Sequence, residues 1–201
     1  NLRTPAVNDR RFAGALSFGA HTHFARGATE FAVGGDLVLV GPQTRLLEFQ
    51  SALHDAIGVR PASAAVRDNQ IGNEVLLNVV AETGRSFALG GSAMVRPYTE
   101  LRWGLENIVR AGADFTFGSV GQGELLVRDP VTGQRYRTVH QRFPGFSFVM
   151  GGDIGWVEDS VLLPNSPVLT REETSNRVRA GMHWQGERNA AFYGVTWLSK
   201  E

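Results

Sequence analysis

Residues 108–118 alternate without a break. Val109, Ala111, Ala113, Phe115 and Phe117 take one set of positions, and Arg110, Gly112, Asp114, Thr116 and Gly118 take the other. A repeat of two belongs to a strand whose faces meet different surroundings. The same pattern returns near the end of the chain. There Val178, Ala180, Met182 and Trp184 oppose Arg177, Arg179, Gly181, His183 and Gln185. Between 146 and 157, Phe146, Phe148, Met150, Gly152, Ile154 and Trp156 form one row against Ser147, Val149, Gly151, Asp153, Gly155 and Val157.

Eight such runs are predicted, over 11–25, 28–40, 73–84, 87–103, 107–119, 145–158, 176–187 and 190–200. They are long. Crossing a bilayer at a tilt takes about 9–11 residues, whereas strands of soluble proteins run to about 5–6. Trp103, Trp156, Trp184, Tyr193 and Trp197 can supply interfacial girdles. The opposite rows mix Arg and Asp with Gly, which a polar lumen accepts; Arg on the lipid side costs about 2–4 kcal/mol at mid-bilayer. The pattern therefore predicts an all-β fold, an antiparallel transmembrane β-barrel forming a single domain over 1–201. Arg110, Asp114, Arg179 and His183 are expected in the lumen, and Phe115, Phe117, Met182 and Trp184 against lipid. A soluble barrel binding a small apolar ligand alternates too, but strand length and aromatic placement favour the membrane. The stretch 121–144 holds the turn signal DPVTGQ and reads as a long hairpin or loop.

One segment breaks the alternation. In 44–57, Leu46, Phe49, Leu53 and Ile57 recur at helical spacing and make one apolar stripe, expected to pack inward. Thr44 is placed to cap the start and Gly58 to end it. Gln50 and His54, four residues apart, share the helix side beside that stripe, while Glu48, Ser51 and Asp55 point to solvent. A lone helical histidine most often has no task. A neutral imidazole can also serve as general base toward water. His21 and His23 lie two apart on one strand face, where a polar lumen row is a commoner explanation than a metal site. His140 falls in the predicted loop and His183 in a lumen row.

Composition narrows the chemistry. Net charge is zero, which gives no electrostatic case for nucleic acid. Of the 20 Lys and Arg residues all but Lys200 are Arg, and there is no Cys, so disulfides and thiolate metal sites are excluded. The sequence holds no GxSxG elbow, no HExxH helix and no EF-hand loop, so a covalent serine mechanism has no support.

Four blocks occur in order: DRRFAG (9–14), GP (41–42), FQSALHDAIG (49–58) and DNQIGNE (68–74). Together they resemble the outer-membrane lipid A 3'-O-deacylase family of Gram-negative bacteria. The resemblance implies a 12-stranded outer-membrane barrel with its active site between the wall and a helix from an extracellular loop. It implies hydrolysis of the ester that holds the 3'-linked acyloxyacyl group of lipid A, with Ca2+ stabilising the oxyanion and a helix histidine activating water. By position that base is His54 and its helix partner Gln50. At the family's site lysine, expected near residues 1–3, stands Leu2. Where an acid for Ca2+ is expected stands Arg60, with Asp55, Asp68 and Glu74 nearby in sequence. The Ca2+ ligands are thus expected largely outside this chain, which is read as an incomplete piece of about eight strands lacking strands at both ends. The implied partners are lipopolysaccharide and outer-membrane lipids, the implied state a monomer. The alternative is a catalytically inactive structural or lipopolysaccharide-binding barrel.

Overall fold

The computed structural model describes residues 11–120, 125–137, 144–163 and 171–200. Eight long strands pair antiparallel in one curled sheet: β1 (Ala15–Arg26), β2 (Thr29–Val40), β3 (Glu74–Arg85), β5 (Ala93–Trp103), β6 (Glu106–Phe117), β9 (Gly145–Ser160), β10 (Thr174–Gln185) and β11 (Ala190–Leu198). The short β4 (Phe87–Gly90) pairs with β5. The sheet is open: β1 and β11 stand at its edges and do not pair with each other among the described residues.

The expected strand over 87–103 is in fact two. Gly90 and Gly91 have φ of 108° and 58°, a conformation that glycine adopts without strain, and they fold β4 back on β5. Pro97 sits where β5 changes partner, between its pairing with β4 at Ala93–Val95 and with β3 at Tyr98–Trp103. Its missing N–H falls where no ladder bond is required.

The predicted faces hold. Arg110, Asp114, Arg179 and His183 are buried on the concave side, and Phe115, Phe117, Met182 and Trp184 are exposed on the convex side. The aromatics gather toward both rims of the outer face. Trp103, Trp156 and Trp197 lie toward one end of their strands. Trp184, its partner Phe146, and the stacked pair Phe24–Phe31 lie toward the other. Glycines of the inner rows make room for the charges. The Arg96 guanidinium lies over Gly84, where a Cβ would meet it at 2.3 Å, and that of Arg110 lies over Gly155.

Two short helices stand at the end where β2 leaves and β3 begins, here called the helical end: α1 (Leu46–Ala56), preceded by a 3-10 turn at Pro42–Thr44, and α2 (Ala64–Asp68). The sequence pattern gave no warning of α2, a single turn capped by Ser63, whose hydroxyl accepts from the Val66 N–H. At the same end Val38, Val40 and Ile71 form an apolar cluster over the lumen, packed with Leu76, Leu105 and Val161. The loop between β6 and β9 starts from the opposite end. It does not project away but turns inward as the hairpin β7 (Leu126–Arg128) and β8 (Arg135–Arg137).

Candidate functional site

Helix α1 is held to the wall by its preceding turn. The Gln43 side-chain amide donates to the carbonyls of Val40 (2.9 Å) and Glu74 (2.7 Å), and the Gln43 N–H donates to Asn73 Oδ1 (2.8 Å). Gly41 N–H donates to the Gly14 carbonyl (2.8 Å), tying in the start of β1. The GP and DNQ blocks thus flank one structural joint. Thr44 stands one residue ahead of the N-cap, which is Arg45 in the left-handed region at φ 55° with no capping bond of its own, and the Thr44 hydroxyl accepts from the Leu46 N–H (3.4 Å) at the helix start. Gly58, at φ 71°, ends the helix as expected.

Helix orientation departs from the sequence reading. Leu47 is the buried residue of α1 and packs with Ala62, Val66 and Phe12. Gln50, Ser51 and His54 lie on that same side, half-buried. Ser51, expected in solvent, donates to the Leu47 carbonyl (2.8 Å). The stripe of Phe49, Leu53 and Ile57, expected to pack inward, is exposed. The helix turns Leu47 inward because the loop that follows brings Ala62 and Val66 beneath it, and sequence periodicity does not carry that contact. Gln50 and His54 share one side, as their spacing required, and that side faces the protein. The Nδ1 of His54 is buried and has no hydrogen-bond partner among the described residues.

The lumen holds the second concentration of chemistry. Asp153 accepts from Tyr98 Oη (2.7 Å), Arg110 (3.0 Å), Arg177 (2.9 Å) and Arg179 (2.5 Å). Asp114 accepts from Arg179 (2.5 Å) and from Arg128 of the hairpin (2.8 Å). Arg128 also donates to Glu82 (2.6 Å), and its guanidinium carbon stands 3.6 Å over the Tyr98 ring. Arg135, on the other hairpin strand, pairs with Glu30, which also holds Arg96 at 2.9 Å. Gln134 donates to the carbonyls of Ala180 and Val195. The turn is closed by Asp129, which accepts from the Val131 N–H and from the N–H and hydroxyl of Thr132. Partial burial works against its charge, but these bonds hold the Asp129 carboxyl below its ordinary pKa. The hairpin tip reaches Arg102 and Arg177, which both donate to the Pro130 carbonyl. The alternation placed Arg110, Asp114 and Arg179 in the lumen but did not show that a hairpin would fill it. Arg128 and Arg135, each one residue outside the DPVTGQ turn, were the only signal.

Above the hairpin lies a cavity of about 1250 Å3, lined among others by His21, Asp36, Asn78, Arg102, Arg128 and Val131. Neither Gln50 nor His54 lines it. His21 Nε2 lies 2.9 Å from Asp36 Oδ1, and Asn78 donates to the other Asp36 oxygen (3.0 Å), which makes the His21 row part of the polar lumen. His183 Nε2 lies 3.2 Å from the Arg135 carbonyl. His140 and residues 1–3 lie outside the described residues.

The described residues do not by themselves form a calcium site. No group of three or more His, Asp or Glu side chains able to hold a metal occurs among the described residues. Asp55, Asp68 and Glu74 are exposed and do not converge.

Among solved structures, LpxR from Salmonella typhimurium matches with a TM-score of 0.76 at 18% sequence identity, covering 100% of this chain and 72% of the other. At that identity the likeness shows the fold, a membrane β-barrel wall. No curated protein matches the chain in sequence. A family model described as outer membrane protein LpxR matches residues 1–201, and the chain belongs to that outer-membrane family.

Proposed function

We propose that this chain belongs to a lipid A deacylase-like ester hydrolase, which removes a 3'-linked acyloxyacyl group from lipopolysaccharide. Family membership supports the class of protein. The observation that carries the site is the orphaned, buried Nδ1 of His54, on the inward side of α1 beside Gln50. Buried polar atoms in folded proteins nearly always find a partner, and one that does not calls for an explanation, a catalytic role or a bound water among them.

In this reading His54 takes a proton from a water molecule as its oxygen attacks the ester carbonyl. The tetrahedral intermediate then expels the sugar oxygen, which recovers the proton from the imidazolium. Gln50, which can donate and accept but cannot take a proton, orients the water or the ester. Because the described residues do not form a calcium site, no step is assigned to the ion. The same observation favours a second reading, a lipopolysaccharide-binding barrel without catalysis.

The two part on one experiment. Lipid A is extracted from a host that expresses the full-length protein and weighed by mass spectrometry. Loss of the 3' acyloxyacyl group is expected, and His54→Ala is expected to lower its rate by about 10²–10⁴-fold, the usual worth of a general base. Gln50→Ala is expected to be milder. Unaltered lipid A with the folded wild type selects the binding barrel. An active enzyme indifferent to His54→Ala overturns the mechanism.

A further inference from the structure

On α1, Phe49, Ala52, Leu53, Ala56 and Ile57 follow the i, i+3, i+4, i+7, i+8 spacing of a single helical face. All five are exposed, Phe49 by 67% and Ile57 by 63%. A helix on a water-soluble body turns such a stripe into the core. This one turns its mixed side inward, and its apolar side is left outside with no covering side chain among the described residues. A contiguous apolar face of this kind marks a surface of interaction.

Its place in the molecule says with what. The turn ahead of α1 is stitched by Gln43 to the last residue of β2 and the first of β3. Just beyond that joint, Val75 and Leu77 of β3 point outward at 59% exposure, in the band that an outer-membrane barrel presents to acyl chains. The helix thus leaves the wall at the upper margin of the lipid-facing surface. Polar groups border the stripe where a headgroup layer would meet it: Glu48 and Asp55 are exposed, and Arg45, its side chain 80% exposed, pairs with Glu48 at 2.6 Å. A long basic chain at such a margin keeps its stem in apolar surroundings and its charge in water.

We propose that α1 is an interfacial helix, with its Phe49–Leu53–Ile57 stripe immersed among the acyl chains of the leaflet at the helical end. Lipid, not a protein partner, is the occupant. The consequence is that the side carrying Gln50 and His54 is held at the depth where ester groups of membrane lipids lie.

The absence of cysteine from this chain makes the test direct. Single variants Phe49→Cys, Leu53→Cys and Ile57→Cys of the full-length protein are labelled with an environment-sensitive fluorophore and reconstituted in phosphatidylcholine vesicles. Leu77→Cys serves as the lipid-facing reference and Glu48→Cys as the aqueous one. Each variant is checked for its folded, heat-modifiable form; the labels replace outward side chains and are expected to leave it intact. Labels at 49, 53 and 57 are expected to show blue-shifted emission. They are expected to be quenched by acyl-chain nitroxide lipids as strongly as at Leu77, and several-fold more than at Glu48. Quenching by aqueous iodide at the Glu48 level overturns the proposal, as does protection from both quenchers, which would mean that protein covers the stripe. The readout does not involve ester hydrolysis, so its failure and that of the enzymatic reading are separate.

Discussion

Asp153 shows how single residues hold this barrel together. It accepts from one tyrosine and three arginines, and its side chain has no exposure. A buried carboxylate so placed neutralises cations that would otherwise repel one another in a low dielectric. Asp153→Ala is expected to cost about 3–5 kcal/mol, the usual penalty for stranding one side of a buried charge pair. Tyr98→Phe removes a single hydroxyl, which donates to Asp153 and accepts from Arg179, and is expected to cost less, about 1.5–3 kcal/mol. Both are read from the temperature at which the folded band is lost on gel electrophoresis in detergent, and equal shifts would contradict the hierarchy. At this scale the sequence was half informative. A repeat of two assigns each side chain to a face, so the burial of Arg110, Asp114, Arg179 and His183 was legible. It does not assign neighbours. That Arg110, Arg177 and Arg179 share Asp153 depends on the register of β6, β9 and β10, which lies in long-range pairing.

At the scale of elements, α1 and the β7–β8 hairpin teach opposite lessons. The spacing of Phe49, Leu53 and Ile57 revealed a helix and its stripe, and the helix is there. What covers the stripe was misjudged, because the rule that apolar faces turn inward presumes water outside. Beside a bilayer the outside is apolar too, and the rule loses its direction. The hairpin had the plainer turn signal, yet its destination was hidden, since polar residues flanking a turn ordinarily mean solvent. Here the solvent is replaced by a charged lumen. Arg128 binds Glu82 and Asp114, Arg135 binds Glu30, and Gln134 reaches strands β10 and β11, so the hairpin braces the lumen from several sides. Such a filling should bar ions. The full-length protein in a planar bilayer is expected to show no steady conductance, and a variant with 125–137 replaced by a short Gly-Ser turn is expected to open stepwise currents. A wild type that conducts as freely as the variant would show that the hairpin is no plug.

For the whole molecule, the order and spacing of strands were almost entirely readable, because each long strand carries its own alternation and each partner is its sequence neighbour. Only the split of 87–103 escaped, since Gly90 and Gly91 interrupt a pattern that continues on both sides. Orientation follows from the lengths of the connections. At the helical end β2 and β3 are joined through residues 41–73, β9 and β10 through 161–173 and β5 and β6 by 104–105; at the other end β1 and β2 are joined by 27–28, β10 and β11 by 186–189, and β6 and β9 by 118–144, whose hairpin folds into the lumen and does not extend as a loop. Outer-membrane barrels keep short turns on the periplasmic side and long loops outside. On the lengths of 41–73, 27–28 and 186–189 the helical end is expected to face the exterior, with the hairpin entering the lumen from the periplasmic mouth. The sidedness can be read with two single-cysteine variants of the full-length protein. Arg60→Cys, exposed in the loop after α1, is expected to react with a membrane-impermeant maleimide on intact cells, and Arg188→Cys, exposed in the turn between β10 and β11, only after the outer membrane is opened. The reverse pattern would invert the barrel. It would place Gln50 and His54 on the periplasmic side, away from the outer leaflet that holds the proposed substrate.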